Sequence, residues 1–228
     1  MPRVPDGLPL LGRGRHRSPR DGACVMEYTS VLAGERWSDN PSCVHPALAT
    51  LARMVNDCTA DEARQSLVTV VPDLVHSAGL RGKRARLGQR IARKAVLAAL
   101  PLATGLRRRT LCAALLGAEK ACGPSRVAHD PDREAVRALL RDPDEAMLLA
   151  IRLSAKAPRP LAYDRKGVTK SLELAVMTIA ESGHPRADDV MRRLLVDCTA
   201  LVRGVPAAVP AGTAPGAGAR EERQALRA

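Results

Sequence analysis

Apolar positions along the chain recur at intervals of three and four, and an alternating pattern persists nowhere. Leu48, Leu51, Met54 and Val55 share one face of a helix predicted over 46–57, with Pro46 suited to its first turn. Asp21 stands where it can cap a helix over 23–34. Thr59 and Glu62 have capping-box spacing, which predicts a helix over 60–70 that Pro72 breaks. A long helix is expected over 80–100, and another over 106–121 that ends at Gly123-Pro124. Asp130-Pro131 and Asp142-Pro143 open helices reaching 141 and 156. Two more, over 168–182 and 186–203, flank Gly183-His184-Pro185. The expected class is all-α: a helical bundle or short α-solenoid of about 8–9 helices. Similar helix lengths suggest the solenoid, although no motif repeats.

The two ends break the pattern. Residues 1–20 are rich in Pro, Gly and Arg, and 204–228 form a low-complexity Ala/Pro/Gly tail. Both are expected to be disordered, which leaves one helical domain over 21–203.

Composition fits this reading. The 228 residues are 46% hydrophobic, but include no Phe, one Trp and two Tyr. The core must be built from Leu, Val, Ala, Met and Ile, and small side chains let helices approach closely. The six Cys form no C-x-x-C pair. No apolar run reaches signal-peptide or membrane-spanning length. A reduced, cytoplasmic protein with buried thiols is expected.

Charge changes the picture most. The net charge is +12. Residues 79–110 hold eight Arg, two Lys and no acid, and residues 1–20 hold five Arg and one Asp. The rest is slightly acidic, so the positive charge lies in a basic block and a basic arm. On a helical wheel Lys83, Arg86, Arg90, Arg93 and Lys94 span about 100°. Leu80, Leu87, Ile91 and Ala98 form an apolar stripe beside them. Arg107, Arg108 and Arg109 begin the following helix, where cations oppose the macrodipole unless an anion sits there. These eight cations are the candidate polyanion-binding residues. The arm is expected to contribute less, because ordering it costs entropy. The block holds no aromatic for stacking bases, which favours duplex or structured-RNA phosphates over single strands.

The segment 21–57 concentrates the distinctive chemistry. It holds Trp37, Tyr28, Cys24, Cys43 and several acids. Cys24, Cys43, His45 and Cys58 are zinc-compatible residue types, but their spacing is irregular and no metal is expected. Glu27, Glu35, Asp39, His45 and Asp57 offer general acid–base groups. No G-x-S-x-G, H-E-x-x-H or phosphate-cradling glycine loop accompanies them, and no motif calls for a cofactor. A structural reading is preferred: a helix–loop–helix pinned by Trp37 and polar contacts, with Glu27 paired to Arg53. Cys24, Met26, Glu27, Leu32–Glu35, Ser38, Asp39, Pro41, Cys43, His45, Pro46, Leu48, Leu51–Arg53 and Val55–Asp57 carry a pattern of specific spacing. Over those residues the chain resembles an uncharacterised family typical of GC-rich actinobacteria. That resemblance carries no activity with it.

The expected function is a non-enzymatic binding or regulatory protein whose basic helix engages a polyanion, nucleic-acid backbone first. The alternative is an adaptor for an acidic protein partner. An enzyme with its site in 24–57 ranks third.

Overall fold

The computed structural model describes residues 9–78, 84–124, 129–156 and 163–204. It is all-α. The helices are α1 (Val25–Leu32), α2 (Pro46–Cys58), α3 (Asp61–Arg64), α4 (Val71–Leu74), α5 (Arg84–Ala99), α6 (Gly105–Cys122), α7 (Pro131–Arg141), α8 (Glu145–Lys156), α9 (Arg165–Ala180) and α10 (Ala187–Arg203). Among the described residues the one extended pairing is an isolated parallel bridge between Leu11 and Ala23.

Helix α5 is the hub, packed against α2, α6, α7, α9 and α10. Its Ile91, Ala92, Ala95, Val96 and Ala99 are buried. Three alanines on one helix let several neighbours come close at once. Leu48, Leu51 and Val55 of α2 meet Leu172, Val176 and Ile179 of α9 in the same core. Helix α2 also touches α10, more than a hundred residues away, which a solenoid of sequential neighbours does not allow. The arrangement is a bundle. Buried Thr29, Thr178 and Thr199 satisfy their hydroxyls on the carbonyl four residues back, so they sit in the core without an orphaned donor.

Local signals differ from the expected ones in three places. Cys24, not Asp21, caps α1: its Sγ accepts from Glu27 N, and the Glu27 carboxylate accepts from Cys24 N at 2.8 Å. A capping box can thus be built on Cys in place of the usual Ser or Thr. Thr59 closes α2 rather than opening the next helix, with its hydroxyl on Val55 O. Pro72 lies in the first turn of α4 rather than ending a helix, since its missing N–H is tolerated there.

Candidate polyanion interface

The two basic regions are arranged in opposite ways. In the block, the wheel placed Arg93 on an outer cationic face, but it is fully buried. One terminal nitrogen donates to Glu119 at 2.7 Å, and the other donates to both Asp130 oxygens at 2.7 Å. Arg133 holds the second Glu119 oxygen at 2.7 Å, and Lys94 reaches Asp132 at 2.8 Å. Three cations therefore face three carboxylates in a cluster of zero net charge. Burial alone would favour neutral Arg93, but the Asp130 and Glu119 hydrogen bonds outweigh it and hold the guanidinium more basic than usual. Burial likewise pushes the Asp130 carboxyl up, and Arg93 pulls it below the ordinary range.

The physical reason for the misplacement is that α5 is a hub. A wheel with one buried face fails when α7 covers the second face and brings acids 37 and 39 residues downstream of Arg93. Asp130-Pro131 opens α7 as expected, and Asp130 caps it by accepting from Arg133 N. Its second role was not legible from local spacing.

The three arginines opening α6 also find carboxylates within the chain. Arg107 pairs with Glu181, Arg108 with Asp144 and with Leu100 O, and Arg109 lies 3.8 Å from Glu145. The anion that their position at a helix start calls for is supplied internally. Lys83 lies outside the described residues. Arg86 is exposed and Arg90 half-buried, and neither makes an ion pair among the described residues.

The arm is the reverse case in its described part, residues 9–20. It is a strap laid across α1 and α2. Gln65 clamps Leu11 through both amide atoms, accepting from its N–H at 3.1 Å and donating to its carbonyl at 2.9 Å. Gly12 N donates to Ala23 O at 2.7 Å, and Asn56 donates to Gly12 O at 2.8 Å. Asp57 takes Gly14 N at 2.8 Å. Glu27, fully buried, accepts from His16 N at 2.7 Å and from His16 Nδ1 at 2.9 Å. Trp37 Nε1 donates to His16 O at 2.9 Å. Gly12 is required by this packing, because a Cβ there would stand 2.7 Å from His16 Nε2.

With the backbone tied down, exposure alternates. Gly12, Gly14 and His16 face the body while Arg13, Arg15 and Arg17 are exposed, as is Arg20 beyond them. Arg15 has a loose partner in Asp39 at 3.8 Å and keeps 76% of its side chain exposed. Arg13, Arg17 and Arg20 make no ion pair among the described residues. Glu27 does not pair with Arg53, which instead donates to Asp39 O at 2.7 Å.

Polar contacts account for much of the chemically rich segment, although the buried Tyr28 hydroxyl has no hydrogen-bond partner among the described residues. Burial lifts the Cys24 thiol to about 12, far from thiolate chemistry at neutral pH. Glu35 binds Ser42 through both oxygens, and His45 Nδ1 caps α2 on Ala47 N at 3.2 Å. No three His, Cys, Asp or Glu side chains converge as metal ligands among the described residues, and no described helix is long and apolar enough to cross a membrane. The chain matches no family model, no curated protein and no solved structure.

Proposed function

We propose that this is a non-enzymatic binding protein of regulatory type that engages the phosphate backbone of nucleic acid, with the anchored strap as its principal contact. The observation that carries this reading is the alternation of Arg13, Arg15 and Arg17 outward from a backbone fixed by Glu27, Asn56, Asp57 and Gln65. Arg suits phosphate through its planar fork of donors. A free arm loses about 1–2 kcal/mol per residue when ordered on binding. The strap has met that cost in folding. Arg86 and Arg90 are secondary contacts. Six free cysteines, four of them buried, fit a cytoplasmic setting.

The test is a salt titration of affinity for a mixed-sequence duplex. Four strap arginines on phosphates give a slope of about −3 to −4 in log K against log salt. Absence of duplex binding at low salt rejects the reading. Binding to an acidic protein surface without duplex binding establishes the adaptor instead.

A further inference from the structure

Four of the six cysteines are buried, and Cys43 and Cys58 are half-buried. Those two thiols have different surroundings. Cys43 faces Glu35 and the His76 backbone. Cys58 faces a second sulfur: its Sγ lies 3.8 Å from Met177 Sδ, across 119 residues of chain. Cys58 is the last residue of α2, and Met177 lies in the last turn of α9 with 37% of its surface exposed. Helices α2 and α9 pack on one another, with Val55 and Val176 in the core beneath the pair. Both sulfurs are therefore carried on fixed backbone.

A thiol and a thioether side by side are soft donors, the kind that select copper(I) over hard cations. Two bonds of about 2.3 Å to sulfurs 3.8 Å apart enclose an angle of about 110°. That angle suits an ion with three or four ligands, so the pair leaves at least one position open at the surface. The local charge also favours a cation. Both sulfurs belong to last helical turns, where the peptide dipoles present their negative ends. Burial holds the Cys58 thiol above its ordinary value; Asp57 and Glu181 add to this and Arg13 opposes it. The negative field of the two carboxylates disfavours a bare thiolate and favours a cation in its proton's place.

We propose that Cys58 and Met177 form a surface site for copper(I). Binding exchanges one proton for one ion. The Cys58 S–H bond breaks, both sulfurs bond the metal, the proton leaves to solvent and no electron changes hands. The open position takes a thiol or another soft ligand from solution, which suits an ion that is passed on rather than locked in. Sequence spacing grouped Cys58 with Cys24, Cys43 and His45, and the fold pairs it with Met177 instead. No strap arginine is a ligand, so the site is tested apart from duplex binding.

The test is an anaerobic titration of the reduced full chain with copper(I) in competition with bicinchoninate. One ion per chain should be retained and one proton released, and X-ray absorption should show two sulfurs at about 2.3 Å. C58S should lose the ion, and C43S should keep it. M177L, which keeps an apolar side chain at an exposed position, should bind about tenfold more weakly and show one sulfur fewer. Circular dichroism confirms that each variant is folded. The site is refuted if bicinchoninate strips the wild type completely, if folded C58S retains the ion, if folded C43S loses it, or if folded M177L keeps wild-type affinity and both sulfurs.

Discussion

The block over 79–110 carries ten cations, and the strap over 9–20 carries four. Yet the strap presents more cations without a close partner among the described residues. Arg93, Lys94, Arg107, Arg108 and Arg109 all meet carboxylates, whereas Arg13, Arg17 and Arg20 meet none. Positive charge along a sequence is therefore a poor measure of positive charge offered to a partner. What decides is whether the fold brings acids to the same place. Helix α5 packs against α2, α6, α7, α9 and α10, and α6 and the start of α7 deliver the acids that meet Arg93 and Lys94. The strap lies on the outside and has only one covered side.

The largest expected effect separates the regions by stability. Arg93→Ala leaves Asp130 and Glu119 facing a buried gap, and breaking a buried pair from one side costs about 3–5 kcal/mol. Arg13→Ala removes an exposed side chain that makes no ion pair among the described residues and should change stability by less than about 0.5 kcal/mol. Urea denaturation of the two variants measures the contrast. Equal, small losses would mean that Arg93 is not buried as described.

Glu27→Ala tests the strap's anchor. It leaves Cys24 N–H and His16 N–H without their buried acceptor, at about 1–3 kcal/mol for each group lost. Amide exchange should accelerate most at residues 11–17, with α5 and α9 little changed. Uniform acceleration would show that Glu27 supports the whole core rather than the strap.

Acid titration distinguishes the cluster from the surface. Asp130 is held below its ordinary value near 3.8 by Arg93, so its contribution is complete above that value. That contribution is lost as pH falls through the lower folded value. In Arg93→Met the same carboxyl is buried without its partner, which reverses the sign and favours the protonated form at low pH. The stability difference between wild type and Arg93→Met should therefore shrink as the pH falls from 7 to 3. A constant difference would remove Asp130 from the account. The smallest effect belongs to Arg109→Ala, whose 3.8 Å exposed pair should contribute no more than about 0.5 kcal/mol and vanish in high salt.

Which features were legible follows from their range. Pro46, Asp130-Pro131 and Asp142-Pro143 act on the next turn of chain, and the starts of α2, α7 and α8 agree with them to within about two residues. The helix ends at Gly123 and Gly204 were equally local. The pairs Arg93–Asp130, Arg107–Glu181 and Leu11–Gln65 join residues 37, 74 and 54 positions apart. No periodicity reports such a distance. The order of the strap is hidden in the sequence for a further reason. Pro, Gly and Arg in residues 9–20 read as a solvated arm, because its order comes from acceptors on α1 and α2 and not from its own side chains. One clue was present: Gly12, Gly14 and His16 alternate with Arg13, Arg15 and Arg17, as in a chain with one covered side.

The central claim is that the strap's charges are available, whereas those of Arg93, Lys94, Arg107, Arg108 and Arg109 in the block are consumed. It is tested most directly by duplex affinity against salt for the wild type, Arg13/Arg15/Arg17→Gln and Arg107/Arg108/Arg109→Gln, each confirmed folded by circular dichroism. At about 0.9 per phosphate released, the strap variant should lose roughly 3 units of salt slope along with most of its affinity. The α6 variant should retain both. Undiminished slope and affinity in the strap variant, with loss of both in the α6 variant, would contradict the account.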